Sequence, residues 1–71
     1  MSVSSLSVLV NGESRLLPGG ATVADVVSEL RGGGRGTAVA CNGEVIPRSQ
    51  WSTTELSEGD AVEVLSAAQG G

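Results

Sequence analysis

Apolar residues recur at every second position near the start of the chain, at Leu6, Val8 and Val10. This alternation is typical of a β-strand with one buried face. The next two residues are Asn11-Gly12, which favour a tight hairpin turn because both tolerate positive φ. The pattern therefore predicts a hairpin of two strands, from about Val3 to Val10 and from Glu13 to Leu17.

The apolar spacing then changes to i, i+3, i+4 and i+7, at Val23, Val26, Val27 and Leu30. That spacing forms one stripe along a helix. Thr22 offers a hydroxyl N-cap, and Asp25 lies three residues later, where an acidic side chain stabilises the first turn. Because Gly32-Gly33-Gly34 ends the pattern, we expect a helix from Val23 to Leu30 or Arg31 with its stripe across the sheet.

Three further strands are predicted in the second half of the chain. Thr37 to Cys41 leads through a second Asn-Gly turn into the short segment Glu44 to Ile46, which Pro47 ends. The two Asn-Gly-Glu sequences indicate shared turn chemistry rather than duplication, since their flanking residues differ. A turn at Glu58-Gly59-Asp60 precedes the last strand, in which Val62 and Val64 alternate with their neighbours.

The stretch from Arg48 to Ser57 shows no periodic pattern, and we expect it to be irregular. Trp51 and Leu56 are its expected anchors in the core. A lone tryptophan in so small a domain more often closes the open end of a core than contacts a partner. Trp51 is therefore interpreted as structural.

The order of elements is strand, strand, helix, strand, short strand, strand. If the last strand lies parallel to the first in the centre of the sheet, one helix can cover one face, which is the ubiquitin-like β-grasp arrangement of the α+β class. On this alternation Leu9 and Leu65 point away from the helix and would form an exposed apolar spot. That spot is a candidate partner surface, although scattered surface leucines would look the same.

Length and composition narrow the function classes. The chain has 71 residues, of which 39% are hydrophobic and 17% charged, so we expect one small domain without a roomy active-site cavity. With no Phe or Tyr and one Trp, its core must be built from Val, Leu, Ile and Ala. The net charge of −4 disfavours nucleic acid binding, and it serves either solubility or attraction to basic partners.

The absence of histidine and the single cysteine exclude the usual zinc sites, acid–base constellations and an internal disulfide. Nothing near Cys41 in the sequence would lower its thiol pKa, so we interpret it as a buried, inert thiol. No export signal or membrane-spanning run is seen, and the cytoplasm is the expected compartment.

The chain closes on Gln69-Gly70-Gly71, after residues that are small and uncharged. Two consecutive glycines lack Cβ atoms, so their backbone can enter a slot too narrow for other residues. We expect a domain over residues 1–66 and a flexible tail over 67–71. Simple fraying of a chain end is the alternative interpretation of the same residues.

Several segments together resemble the ThiS-type sulfur carriers of thiamine biosynthesis, a ubiquitin-like β-grasp family. The resemblance spans nearly the whole chain in order, and its most specific parts are residues 42–51 and the glycine tail. The segments that carry it are Val10-Asn11-Gly12-Glu13, Thr22-Val23-Ala24-Asp25, Val39 to Arg48, Trp51, Glu58-Gly59-Asp60 and Gln69-Gly70-Gly71. Cys41 departs from the pattern, where an aliphatic residue is more usual, and residues 31–36 match poorly.

The resemblance implies that Gly71 is the site of adenylation and sulfur attachment, with Gly70 and Gln69 threading the tail into partner enzymes. It implies no catalytic group in the carrier, no bound cofactor and no metal. An E1-like (ThiF-type) adenylyltransferase would use ATP and Mg²⁺ to activate Gly71, and a persulfide donor would supply sulfur. The resulting thiocarboxylate would serve a ThiG-type thiazole synthase.

Other functions remain open at this point. The small subunit of molybdopterin synthase also has this fold and a terminal Gly-Gly, although the lack of Phe argues against it. Related carriers deliver sulfur to cysteine or to secondary metabolites. A β-grasp module used only for noncovalent association is the third alternative.

Overall fold

A computed structural model describes residues 5–30 and 36–66, with only the backbone of Ser66. The elements in chain order are β1 (Ser5–Val10), β2 (Glu13–Pro18), α1 (Val23–Glu29), β3 (Thr37–Cys41), β4 (Glu44–Ile46), a 3-10 helix (Arg48–Thr53) and β5 (Ala61–Ser66). The predicted start of the first strand at Val3 lies outside the described residues.

The hairpin of β1 and β2 forms as predicted. The two strands are antiparallel, and Leu6 lies opposite Leu17 in their register. At the turn Asn11 has φ 52° and Gly12 has φ 85°. Positive φ at both residues matches the right-handed twist of the strands that they join.

Thr22 and Asp25 cap α1 reciprocally. The Thr22 Oγ1 accepts a hydrogen bond from the Asp25 backbone N–H at 3.3 Å. The Asp25 Oδ2 in turn accepts from the Thr22 backbone N–H at 2.9 Å. These bonds satisfy donors that a helix start otherwise leaves free, so α1 begins at Val23 as predicted.

The five strands form one sheet in the order β2-β1-β5-β3-β4. β5 runs parallel to β1 and antiparallel to β3, so the last strand lies in the centre. α1 packs on one face through Val23, Val26 and Val27, which are buried, while Leu30 is partly buried. The expected ubiquitin-like β-grasp architecture is therefore confirmed.

The core between α1 and the sheet is built from small aliphatic side chains and one tryptophan. Its buried members are Val8, Val10, Leu17, Ala21, Val23, Val26, Val27, Val39, Trp51, Leu56 and Val62. The Trp51 indole Nε1 donates a hydrogen bond to the Ile46 carbonyl oxygen at 2.9 Å. The Arg48 guanidinium carbon lies 4.8 Å from the centroid of the indole ring. Trp51 is thus buried, hydrogen-bonded at its edge and covered by Arg48, in agreement with its structural interpretation.

The expectation of irregular structure from Arg48 to Ser57 is wrong for the first part of this stretch. Arg48–Thr53 forms a 3-10 helix after Pro47, with the Gln50 N–H donating to the Pro47 carbonyl at 2.8 Å. A 3-10 helix repeats every three residues, so it lacks the spacing used to recognise α-helices. The segment after it is held by the Leu56 N–H, which donates to the Ala21 carbonyl at 2.9 Å.

Adjacent leucines in β2 provide a matched test of this core. Leu17 is 5% exposed and Leu16 is 74% exposed. Leu17→Ala should lower the free energy of unfolding by about 2–5 kcal/mol because it leaves a cavity. Leu16→Ala should change it by no more than about 0.5 kcal/mol. Urea unfolding of both variants checks the pair, and equal losses would contradict the assignment of the two faces.

Candidate functional site

The predicted sulfur-carrying tail follows β5 directly. Gln69, Gly70 and Gly71 lie outside the described residues, as does the proposed boundary at residue 67. β5 itself is described from Ala61 to Ser66 and lies between β1 and β3. The geometry around β5 is therefore the part of the site that the structure describes.

β3 pairs with β5 from Val62 to its end, but β1 pairs only with its beginning. The antiparallel register with β3 runs from Cys41 opposite Val62 to Thr37 opposite Ser66. The parallel register with β1 joins only Leu9 with Ala61 and Val10 with Val62. β1 ends at Val10, where the chain turns away into β2.

The Asn11 side chain continues the pairing where β1 stops. Its Oδ1 accepts a hydrogen bond from the Val64 N–H at 2.9 Å, and its Nδ2 donates to the Val64 carbonyl at 3.3 Å. Both peptide groups of Val64 on this edge are thus bonded to one side-chain amide.

Asn42, in the second Asn-Gly turn, holds the opposite end of β5. Its Oδ1 accepts from the Ala61 N–H at 3.0 Å, and its Nδ2 donates to Asp60 Oδ1 at 3.0 Å. Asn42 has the same φ of 52° as Asn11. The sequence identified both turns, but it gave no signal that both side chains bind the same strand.

The sheet face opposite α1 is uncovered within the described residues; we call it the open face. Alternation along each strand places on it the large apolar side chains that are exposed. These are Leu9 at 44%, Leu16 at 74%, Val45 at 71% and Leu65 at 64% exposed. The sequence pattern did not single out Leu16 or Val45 as surface residues, although the buried neighbour Leu17 implies that Leu16 points outward.

Leu9 and Leu65 both lie on the open face, but they do not form the single spot expected from the sequence. Leu9 pairs with Ala61, four residues before Leu65. At about 3.3 Å per residue this offset is about 13 Å along the strand. Glu63 lies on the same face between them, exposed to solvent. Alternation assigns a side chain to a face, but only the register gives its position along the neighbouring strand.

Cys41 is half-buried at the end of β3, where it packs against the core, so it is less enclosed than expected. Burial raises the pKa of its thiol, and Asp60 and Glu44 raise that pKa further. Each of these effects disfavours the thiolate, which is the nucleophilic form. The thiol is therefore poorly suited to attack an electrophile at neutral pH.

Within residues 5–30 and 36–66, no group of three or more Asp, Glu or Cys side chains is placed to hold a metal ion. The same residues form no pocket. No helix in this part of the chain is long and apolar enough to cross a bilayer.

Two curated proteins are similar to this chain over 66 residues, which is 93% of its length. The sulfur carrier protein ThiS of Escherichia coli is 27% identical, and the match covers 100% of that protein. A thiazole synthase of Paramagnetospirillum magneticum is 30% identical, and there the match covers 20% of the protein. The chain thus spans about a fifth of the length of this second relative.

A solved structure supports the same relationship. The thiamine biosynthesis protein ThiS from Geobacter metallireducens superposes with a TM-score of 0.75 at 30% sequence identity. The match covers 93% of this chain and 100% of that structure. The family model described as the ThiS family matches residues 8–71, which includes β5 and the predicted site residues Gln69, Gly70 and Gly71. This chain belongs to the ThiS family.

Proposed function

We propose that this chain carries sulfur as a thiocarboxylate at Gly71 and donates it for thiazole formation in thiamine biosynthesis. The observation that carries the proposal is the family match through residue 71, on a fold whose central strand ends five residues before Gly71. The Escherichia coli relative is a sulfur carrier, and the Geobacter metallireducens relative is a thiamine biosynthesis protein. Sulfur carriage for thiamine is therefore the best-supported part of the proposal.

Activation by a separate enzyme is the chemical step that this function requires. A terminal carboxyl group has a pKa of about 3.3–3.7 and is anionic at neutral pH, so an anionic sulfur nucleophile does not attack it. We infer that an E1-like, ThiF-type enzyme uses ATP and Mg²⁺ to form the acyl-adenylate of Gly71. The terminal sulfur of a persulfide donor then displaces AMP from the carbonyl carbon and forms an acyl disulfide. A second thiol attacks the donor sulfur of this bond, which releases the Gly71 thiocarboxylate and leaves a disulfide. The cytoplasm is the compartment proposed for this cycle.

The proposed recipient of the sulfur is a ThiG-type thiazole synthase. In Paramagnetospirillum magneticum, a sequence similar to this chain is part of a longer polypeptide named thiazole synthase. Joining two sequences in one polypeptide keeps the two parts at high effective concentration. We infer that this chain meets such an enzyme through noncovalent docking.

The open face around β5 is the proposed docking surface for the thiazole synthase. Residues 67–71 span at most about 18 Å when fully extended, so an enzyme that receives Gly71 must approach the end of β5 closely. Leu65 is the last exposed apolar side chain before that end. Leu9 lies farther back on the same face and would contact the enzyme at the margin of the interface.

Reconstitution tests the function. The chain is incubated with a ThiF-type enzyme, ATP, Mg²⁺, a persulfide donor and a thiol reductant, and accurate intact mass is measured to distinguish sulfur exchange from oxidation. A ThiG-type synthase and its remaining substrates are then added, and thiazole is measured. Thiocarboxylate without thiazole would redirect the sulfur to another pathway, and an unmodified chain would favour a noncovalent module.

Changes at the two final glycines should separate chemistry from folding. Deleting Gly71 should abolish adenylation because the terminal carboxylate then falls one residue short of the activating site. Substituting Gly70→Val should abolish it because the added side chain blocks entry of the tail. The melting curve should remain nearly intact, since the core lies within residues 8–62. Gly19→Val, in an exposed turn, is the control for replacing a glycine. Normal adenylation of the Gly70 variant would refute the threading role.

Leu65→Ser should weaken docking to the thiazole synthase about tenfold, which corresponds to about 1.4 kcal/mol and is within the range for burying one leucine. Leu16→Ser is the matched control because Leu16 is exposed on the same face, two strands from β5. Its dissociation constant should change by less than about twofold. Titration calorimetry with the synthase measures both, and equal weakening would show that docking is not centred on β5.

Cys41→Val should retain thiocarboxylate formation, since the raised pKa of this thiol disfavours its use as a sulfur acceptor. The same mass assay measures the sulfur bound per chain, and thermal unfolding verifies that the variant is folded. Loss of transfer in a folded Cys41→Val protein would make the thiol a participant in the reaction.

A further inference from the structure

The edge of β5 that faces β1 extends beyond the end of β1. The Leu9 N–H donates to the Asp60 carbonyl, and the Asn11 N–H donates to the Val62 carbonyl, both at 2.9 Å. The next peptide groups on this edge are those of Val64, and the β1 backbone does not reach them because the hairpin turns at residues 11 and 12. The Asn11 side chain satisfies both groups instead.

Asparagine suits this position for two physical reasons. The turn requires positive φ, which asparagine tolerates better than most residues with a side chain. Its amide also offers a donor and an acceptor together, as a backbone peptide group does. Aspartate would keep the acceptor for the Val64 N–H but would place a negative oxygen against the Val64 carbonyl. Glycine would keep the turn and remove both bonds.

We propose that Asn11 is a positioning residue for the C-terminal tail. By holding Val64, it fixes the end of β5, from which residues 67–71 continue, on the edge that β1 does not reach. This inference rests on the proposed function, in which the terminal carboxylate of Gly71 is adenylated. Asn11 touches neither the reacting atoms nor the nucleotide in this role.

Asn42 supplies an internal control. It stands in the same Asn-Gly-Glu sequence with the same φ and also binds β5 through its side-chain amide. Its partners, Asp60 and Ala61, lie at the beginning of the strand rather than at the end that leads to the tail. Substitutions at the two asparagines therefore make the same local change at opposite ends of β5.

The experiment compares Asn11→Gly with Asn42→Gly, because glycine preserves positive φ and removes the amide. Adenylation by the ThiF-type enzyme is measured against carrier concentration, below the lower of the two melting temperatures. For Asn11→Gly, KM should rise roughly tenfold because the enzyme must order the strand end on binding, while kcat changes less than about twofold. For Asn42→Gly, both constants should stay within about twofold of the unmodified chain. Amide exchange at Val64 should accelerate more in the Asn11 variant than in the Asn42 variant.

A second pair, Asn11→Asp and Asn42→Asp, serves if a glycine variant does not fold. Asn42→Asp places a second carboxylate beside that of Asp60, and the two negative charges repel each other. The stability of this variant should therefore fall at least as far as that of Asn11→Asp. If KM rises only in the Asn11 variants, lower stability cannot be the cause of the increase. If the chain without substitutions is adenylated but the Asn11 and Asn42 variants have equal KM values, the positioning role alone is overturned. Failure to adenylate the unmodified chain would overturn the proposed function and this inference with it.

Discussion

The sheet depends on the pairing of β5 with two hairpins that do not otherwise pair with each other. In the order β2-β1-β5-β3-β4, β1 and β2 form one hairpin and β3 and β4 form the other. An isolated two-stranded hairpin is at best marginally stable in water. Among the described strands, β5 alone pairs with both hairpins, and its Val62 enters the core beneath α1. The strand that leads to the tail is therefore also the strand that completes the sheet.

This arrangement gives the two faces of β5 different tasks. Val62 and Val64 point toward α1, where aliphatic side chains of β1 and β3 pack with them. Glu63 and Leu65 point to the open face and are exposed. Because successive side chains alternate across a strand, one short segment contributes to the core and to the proposed docking surface at once. Stability and recognition are thus encoded at neighbouring positions that can be changed separately.

The elements governed by local chemistry could be predicted from the sequence. The hairpin at Asn11-Gly12 follows from positive φ, and the start of α1 follows from the reciprocal bonds of Thr22 and Asp25. The central position of β5 followed from the element order and the need for one helix to cover the sheet. The 3-10 helix could not be predicted, because its bonds leave no α-helical or strand-like spacing.

The site was less predictable because it depends on register between distant residues. Alternation placed Leu9 and Leu65 on the correct face, but the pairing of Leu9 with Ala61 separates them along the sheet. The Asn11 side chain likewise binds Val64, 53 positions away in the sequence. Turn propensity explains why asparagine occurs at residue 11, but it does not predict which strand the side-chain amide binds.

The bond from Asn11 to Val64 also resolves a conflict between holding β5 and leaving its end accessible. A longer β1 would support Val64 with backbone, but it would carry the hairpin turn forward beside the end of β5. That turn would then occupy space that an enzyme needs in order to reach a tail of five residues. The Asn11 side-chain amide supplies a donor and an acceptor, as a peptide group does, without lengthening β1. The strand end is thereby held on both edges, and no further described strand stands beside it where a partner would approach.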